Sequence, residues 1–222
     1  MAHPPLDGPR LESKSGNTKN LVVISHGYGA NGADLISLGE QWQQAFPDTA
    51  FVAPNAPEPC PIAPGGYQWF PLTHNPGGLR SPDEYWEGVC HSEKVLNDFI
   101  DQELDRYSLD ETKLALVGFS QGTMMSLHVG LRRKKQLAGI IGYSGVLAGT
   151  EQLKSDITNK PPVLLVHGDQ DPVVPVQALG LAKEALRAVE IEAEWTICSG
   201  IGHSINDLGF LLGYNFLSRH LR

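Results

Sequence analysis

The sequence has few cysteines, no long apolar run and no extended basic segment, and each absence excludes a class of protein. Its three cysteines are odd in number and widely spaced, which argues against a disulfide framework or a Cys-rich zinc site. No apolar run approaches the ~20 residues of a membrane-spanning helix. The first residues have neither the basic nor the apolar region of a secretory leader. We therefore expect a cytoplasmic protein without a stable membrane anchor.

Acidic residues outnumber basic ones by 25 to 17, and the formal net charge is −8. The one short basic run, residues 132–135, follows a predicted helix, where cations suit the negative end of the helix dipole. Nucleic acid is therefore not expected as a partner, and an anionic membrane surface would repel the chain. A length of 222 residues with 41% hydrophobic residues predicts a single globular domain, residues 1–222.

Strand-like and helix-like segments alternate along most of the chain. The predicted strands cover residues 20–25, 49–53, 113–117, 137–143, 162–166 and 191–198, and the predicted helices cover residues 34–46, 81–106, 123–129, 175–189 and 204–221. We assign Ser81 and Ser204 as helix caps. Such alternation is typical of an α/β fold, a mostly parallel central sheet with helices on both faces. Residues 6–19 are expected to add an antiparallel edge strand.

Residues 54–82 break this alternation, because they hold eight of the sixteen prolines together with four glycines and several aromatic residues. A long segment without regular structure inside a domain is usually functional or disordered, and the aromatic residues argue against disorder. We predict a flap, residues 54–82, that lies over the carboxyl edge of the sheet and the active site.

A G-x-S-x-G motif, Gly118 to Gly122, stands where a predicted strand meets a predicted helix. This context is typical of a hydrolase nucleophile, because the strained turn projects the hydroxyl of Ser120 outward. Glycines flank the serine because side chains there would collide in so sharp a bend. Ser120 is therefore the candidate nucleophile.

A serine nucleophile needs a base and an orienting acid, and in such folds the chain order is Ser, then Asp or Glu, then His. The loops after the two predicted strands that end at residues 166 and 198 supply this order. His203, in a Gly-rich loop, is the candidate base. Asp171 is the preferred acid, but Asp169 in the same loop fits almost equally well, and one of the two is expected to brace the turn.

The oxyanion of an acyl-transfer reaction needs backbone N–H donors. One is expected from Gln121, the residue after the candidate nucleophile. The other is expected from Tyr28, in the Gly-rich loop that follows the first predicted core strand.

The remaining histidines and the cysteines have no pattern that predicts a metal site. His26 and His167, with His203 and Asp171, lack the close spacing of metal ligands, so no metal is expected. Each cysteine is interpreted as a small buried residue. The other histidines, interpreted as solvated or incidental, are His3, His74, His91, His128 and His220.

Taken together, these motifs resemble those of the phospholipase/carboxylesterase family of α/β-hydrolases, which contains acyl-protein thioesterases and bacterial carboxylesterases. The resemblance extends from the strand at residue 21 to the last helix. The segments that carry it are Ser25–Gly29, Pro54–Pro57, Trp69–Phe70, Gly118–Gly122, His167–Pro175 and Gly202–His203.

The resemblance implies a triad of Ser120, Asp171 and His203, which decides between the two aspartates. It also implies an oxyanion hole formed by the N–H groups of Tyr28 and Gln121, and no metal or organic cofactor. Eukaryotic thioesterases of the family usually have Leu at the position of Tyr28, so the chain looks closer to the bacterial members.

The expected function is hydrolysis of carboxylic esters or thioesters, of short to medium acyl chains, through an acyl-enzyme. An acyl-protein thioesterase or lysophospholipase is an alternative, as are a peptidase and a non-catalytic binding module on a hydrolase fold. Trp69, Leu72 and Leu79 of the flap are candidate substrate-binding residues, although Trp69 fits an anchoring role equally well. A homodimer formed through the aromatic flap stays open.

Overall fold

The computed structural model describes residues 5–72 and 81–221. Within them the strands are β1 (Arg10–Leu11), β2 (Asn20–Ser25), β3 (Thr49–Val52), β4 (Glu58–Pro59), β5 (Tyr67–Gln68), β6 (Leu114–Phe119), β7 (Gly139–Tyr143), β8 (Val163–Gly168) and β9 (Glu194–Cys198). The α-helices are α1 (Gly32–Trp42), α2 (Pro82–Tyr107), α3 (Gln121–Gly130), α4 (Leu153–Asp156), α5 (Gln177–Ala188) and α6 (Asp207–His220). No helix of these described residues is long and apolar enough to cross a bilayer.

The central sheet has the order β1-β3-β2-β6-β7-β8-β9, and every neighbouring pair is parallel except β1 with β3. The predicted α/β fold and its antiparallel edge strand are therefore confirmed. From β2 the chain moves outward to β3 and then returns to β6 on the other side. The loops after β2 and β6 thus meet at a topological switch point, where sheets of this kind bind ligands.

Both faces of the sheet are covered, which explains why strands such as β2 are apolar along their whole length. Leu21 and Val23 of β2 belong to a hydrophobic cluster shared with α2, α3 and α5. Val22 and Ile24 face the other side and pack with residues of α1 and α6.

The start of α2 follows the predicted capping pattern. Ser81 accepts a hydrogen bond from the backbone N–H of Glu84, and the Glu84 side chain accepts one from the backbone N–H of Ser81, which completes a capping box. Pro82 occupies the first turn, where its missing N–H has no effect on the helix. The helix ends at Tyr107, one residue beyond the prediction, and is followed by Ser108 in the left-handed conformation with φ 54°.

The predicted cap of the last helix is wrong. The N-cap of α6 is Asn206, whose Oδ1 accepts the N–H of Gly209 at 2.9 Å. Ser204 lies in the preceding turn, where its N–H bonds to the carbonyl of Gly202 at 3.0 Å. Ser204 and Asn206 are both acceptable cap residues, but Ser204 belongs to the turn around His203, so the helix begins after Asn206.

Several boundaries and two burial assignments also differ from the predictions. The predicted helix at residues 34–46 ends at Trp42, and the last strand begins at Glu194. Cys60 and Cys198 are buried as expected, but Cys90 is exposed on α2. His128 is buried on α3, and its Nε2 lies 3.1 Å from Glu93 Oε2, so it is neither solvated nor incidental.

The described part of the flap has more regular structure than predicted, because β4 and β5 pair as a short antiparallel ribbon. The N–H of Gly29 donates to the carbonyl of Tyr67 at 2.8 Å, and the N–H of Tyr67 donates to the carbonyl of Ala30 at 2.7 Å. These bonds attach the flap to the loop after β2, at the carboxyl edge of the sheet.

Candidate active site

Ser120 occupies a strained turn between β6 and α3. Its φ of 55° and ψ of −116° are unusual for a residue with a side chain. Strained backbone conformations of this kind are concentrated at active sites. The N–H of Ser120 donates to the carbonyl of Tyr143 in β7 at 2.9 Å, which fixes the turn to the neighbouring strand.

The flanking glycines are required by close packing, as the motif predicts. A Cβ on Gly118 would lie 2.3 Å from the carbonyl oxygen of Gly122. A Cβ on Gly122 would lie 1.9 Å from the carbonyl oxygen of Ser25 in β2. Larger residues at either position would push apart the two strands and the helix that meet at the serine.

Asp171 and His203 are joined by a hydrogen bond of 2.7 Å between Asp171 Oδ2 and His203 Nδ1. The Asp171 side chain has no exposed surface, whereas 17% of the His203 side chain is exposed. Because a carboxylate only accepts hydrogen bonds, the ring proton of His203 lies on Nδ1. Nε2 is then free of its own proton, which is the state that a general base needs.

Asp171 is held in its ionised state by its hydrogen bonds. Burial acts to raise the pKa of Asp171, but the bonds to His203 and to the backbone N–H groups of Val174 and Val173 outweigh it, and the pKa is lowered. Those two N–H groups reach Oδ1 at 2.9 and 2.8 Å, which leaves Oδ2 for the histidine. His167 lies on the same side, with Nε2 3.4 Å from Oδ2.

Asp169 has a different position in the same loop. Its Oδ1 accepts the N–H of Gly200 at 2.7 Å, and its Oδ2 accepts the hydroxyl of Ser199 at 3.1 Å. Asp169 therefore braces the turn that carries His203, and the structure brings Asp171 rather than Asp169 to the imidazole.

The histidine loop lies beside the serine turn. The ring of Phe119, the residue before Ser120, lies 4.8 Å from the imidazole of His203 between ring centroids. Gly168, at the end of β8, allows this approach, because a Cβ there would lie 2.2 Å from the carbonyl oxygen of Ile201.

The loop that carries Tyr28 lies next to the serine as well. A Cβ on Gly27 would lie 3.2 Å from Cβ of Ser120. Gln121 begins α3, and its side chain binds the flap by accepting the N–H of Trp69 at 2.8 Å and donating to the carbonyl of Phe70 at 2.9 Å.

The contacts of His26, like those of the Gln121 side chain, were not predicted from the sequence. Its ring bonds the Gly27 carbonyl and the Ala56 N–H, and its own carbonyl accepts Trp69 Nε1–H at 2.9 Å. The position of His26 before a glycine at a strand end was the only signal in the sequence.

Trp69 is not placed to contact a substrate. Its side chain has no exposed surface and is bonded to the carbonyl of His26, so Trp69 anchors the flap and the substrate-binding assignment is corrected. Leu72 is partly buried against the hydrophobic cluster on the α2 side of the sheet. Leu79 lies outside the described residues.

The described part of the protein has an apolar cavity of about 410 Å³. It is bounded by the start of α2, the loop after β7 and one face of α5, and its lining includes Tyr85, Val146, Leu147, Ala178 and Ala182. Gly145, next to Val146, packs so closely on the turn that a Cβ there would lie 2.8 Å from the carbonyl oxygen of Ser120. The loop that forms one wall of the cavity therefore also packs against the turn of Ser120.

One group in the described chain places three potential metal-binding side chains within 4.8 Å of one another: Cys90, Glu93 and His128. It lies between α2 and α3, away from Asp171 and His203. The neighbouring guanidinium of Arg132 contributes to lowering the pKa of His128 after burial, and the same positive charge would oppose a bound cation.

The sheet order and the strained serine turn define the class of protein, an α/β-hydrolase. Residues 6–221 match the sequence profile of the phospholipase/carboxylesterase family. The solved structure of esterase PE8 is 43% identical, with a TM-score of 0.94, and covers 98% of this chain and 100% of its own.

Curated relatives agree with this match. Acyl-protein thioesterase 1 of Kluyveromyces lactis is 36% identical over 181 residues, 78% of each chain. Acyl-protein thioesterase 1 of Gibberella zeae is 33% identical over 199 residues, 82% of this chain and 83% of the relative. The chain belongs to the phospholipase/carboxylesterase family, as its motifs predict, and it is a serine hydrolase of carboxylic esters or thioesters.

Proposed function

We propose that Ser120 is the nucleophile, His203 the general base and Asp171 the orienting acid of this hydrolase. The observation that carries the proposal is the 2.7 Å bond from His203 Nδ1 to the buried carboxylate of Asp171, beside the strained turn of Ser120. His203 Nε2 takes the proton of Ser120 as the hydroxyl attacks the acyl carbonyl. The imidazolium that forms is stabilised by Asp171.

In the same proposal, the N–H groups of Tyr28 and Gln121 bind the oxyanion of the tetrahedral intermediate. His203 then donates its proton to the leaving alcohol or thiol, and the acyl group stays on Ser120. Water, activated by His203, attacks the acyl-enzyme and releases the carboxylic acid.

The first test is Ser120→Ala, with Ser126→Ala as its matched control. Ser126 is a buried serine on α3 whose hydroxyl has no hydrogen-bond partner in the described structure, so its loss leaves the site unchanged. We expect Ser120→Ala to lower kcat by at least ~10⁴-fold and to abolish labelling by a fluorophosphonate. Substantial turnover by Ser120→Ala would contradict the proposal, and a wild-type enzyme inert to the fluorophosphonate would favour a binding module.

We infer that the apolar cavity receives the acyl chain and that the enzyme is a carboxylesterase of short to medium chains. Each CH₂ buried in such a cavity contributes about 0.8 kcal/mol, so kcat/KM should rise about fourfold per carbon until the cavity is filled. The measurement is kcat/KM across p-nitrophenyl esters from acetyl to palmitoyl.

The variant Ala182→Leu tests the cavity directly, because Ala182 faces it from α5. We expect the preferred chain to become shorter by two or more carbons, by roughly the volume that the added side chain occupies. Ala188→Leu, on the exposed end of the same helix, is the control. An unchanged chain-length profile in Ala182→Leu would rule out the cavity as the acyl site.

A thioester substrate is the second candidate, favoured by the name of the relatives, acyl-protein thioesterase 1, and a lysolipid is suggested by the phospholipase in the family's description. Oxygen esters and thioesters of one acyl chain form the same acyl-enzyme, so their kcat values differ only where acylation limits the rate. A kcat/KM at least tenfold higher for the thioester of that chain would move thioester hydrolysis to first place.

We further propose a single domain over residues 1–222, with the flap at residues 54–82 beside the active site. Three free cysteines fit a reducing compartment, and we place the enzyme in the cytoplasm. The acidic net charge favours small acyl substrates over nucleic acid as partners. A homodimer stays a proposal, to be tested by light scattering.

A further inference from the structure

The imidazole of His26 binds two backbone groups and has no exposed surface. The N–H of Ala56 donates to His26 Nε2 at 2.9 Å, so Nε2 is an acceptor and the ring proton lies on Nδ1. Nδ1–H then donates to the carbonyl oxygen of Gly27 at 2.7 Å. Burial lowers the pKa of His26, although the bond to Gly27 acts in the opposite direction, and the neutral ring that this arrangement needs is favoured.

The carbonyl of Gly27 has a second donor, the N–H of Ala30 at 3.2 Å. In a planar trans peptide unit, the C=O of one residue and the N–H of the next point in opposite directions. Two donors on the Gly27 oxygen therefore fix the direction of the Tyr28 N–H, which points away from the His26 ring.

The same peptide unit lies next to the nucleophile. β2 and β6 pair in a register that sets Ser25 opposite Gly118, so the segments that follow each strand run side by side. A Cβ on Gly27 would lie 3.2 Å from Cβ of Ser120. The direction of the Tyr28 N–H is thus set within a few ångströms of the carbon that carries the reacting hydroxyl.

We propose that His26 is a positioning residue that aims the Tyr28 N–H into the oxyanion hole by holding the carbonyl of Gly27. His26 itself touches neither substrate nor reacting atoms and transfers no proton. Because the N–H of Ala56 in the flap binds the other ring nitrogen, the same imidazole holds both the flap and the peptide unit that carries the Tyr28 N–H. This inference rests on the proposed function, since it assigns a role in the reaction of Ser120.

Three variants of His26 separate its two hydrogen bonds. His26→Asn places an amide nitrogen where Nδ1 lies and keeps a donor for Gly27. In His26→Gln the longer side chain places its amide oxygen near the position of Nε2, where it accepts the N–H of Ala56 but makes no bond to Gly27. In His26→Phe the ring fills the space and makes neither bond. His128→Phe, a buried histidine on α3 that lies outside the proposed machinery, controls for the loss of a buried imidazole.

We expect kcat to fall about 100-fold in His26→Phe and His26→Gln, the usual effect of losing one oxyanion donor, with KM within about threefold of wild type. His26→Asn should recover at least about tenfold of that loss, and His128→Phe should keep the wild-type kcat. Thermal unfolding of each variant shows whether it is folded. If His26→Phe does not fold, the comparison of Asn with Gln still decides, because these differ in which bond they restore.

A wild-type kcat in folded His26→Phe would overturn the inference. A kcat in His26→Gln equal to or above that of His26→Asn would overturn it as well, because the bond to the Gly27 carbonyl would then not be what sets kcat. Turnover by Ser120→Ala would instead contradict the proposed function, so the two failures are distinguishable.

Discussion

Two aspartates two positions apart in the loop after β8 have separate tasks, and a pair of variants distinguishes them. Asp171→Asn keeps the shape of the side chain but can donate to His203 Nδ1, which favours the wrong tautomer and should lower kcat by about 10⁴-fold. Asp169→Asn keeps an oxygen for the N–H of Gly200 but loses the oxygen that accepts the hydroxyl of Ser199, so we expect a loss of kcat below about tenfold together with a lower thermal stability. Steady-state kinetics and thermal unfolding measure both, and equal losses of kcat in the two variants would contradict the assignment.

The lowered pKa of Asp171 also predicts a pH dependence of stability. A carboxyl group with a lowered pKa in the folded state stabilises the fold above its unfolded pKa of about 3.9, and this contribution is lost as the pH falls through the folded pKa. The free energy of unfolding of wild type should therefore exceed that of Asp171→Asn near neutral pH, and the difference should shrink below about pH 4. Urea titrations at several pH values test this; a difference independent of pH would argue against it.

Among the individual site residues, those that the sequence predicted well follow from local rules. The turn of Ser120 follows from two glycines and a strand-to-helix boundary, all within five residues. His26 and Gln121 were different, because their partners are backbone groups of the flap that lie 30 and about 50 residues away in the chain. Backbone partners have no signature in the residue types, so no pattern in the sequence indicates them.

In the described part of the chain, the side chain of Gln121 attaches the flap to α3 through two hydrogen bonds. Gln121→Ala would leave the N–H of Trp69 and the carbonyl of Phe70 buried without partners. Each such group costs about 1–3 kcal/mol, and about 1 kcal/mol lowers Tm by about 2–4 °C in a chain of this length. We therefore expect a fall in Tm of several degrees, read by calorimetry. Gln41→Ala, on the exposed side of α1, is the control and should leave Tm within about 1 °C.

Elements were predicted more reliably than their ends. The alternation of strands and helices was correct because burial on both faces of a parallel sheet produces long apolar runs. The cap of α6 was wrong because Ser204 and Asn206 are both good caps, and only the turn around His203 decides between them. The cavity was not predicted, since its wall is formed by α2, α5 and the loop after β7, which are far apart in the sequence.

The two hydrophobic clusters lie on opposite faces of one sheet, so we expect both faces to unfold in a single cooperative transition. Trp42 lies in the cluster beside α1 and α6, whereas Trp69 of the flap lies in the cluster beside α2 and α3. The chain has four tryptophans, so variants in which Trp86, Trp195 and either Trp42 or Trp69 are replaced keep a single tryptophan and report on one face each. We expect their fluorescence transitions in urea to coincide, as in a single cooperative unit. Transitions separated by more than about 0.5 M urea would show that the flap side unfolds independently.

The three free thiols of the molecule differ in exposure, because Cys60 and Cys198 are buried and Cys90 is exposed on α2. Partial burial of the thiol raises the pKa of Cys90. Its reaction with maleimides should therefore be slow at neutral pH and faster in mildly alkaline buffer. Each molecule then has one preferred point of covalent attachment, set on a helix rather than on the loops around Ser120. The native chain can thus be tethered to a bead or an electrode in one defined orientation, with no engineered cysteine.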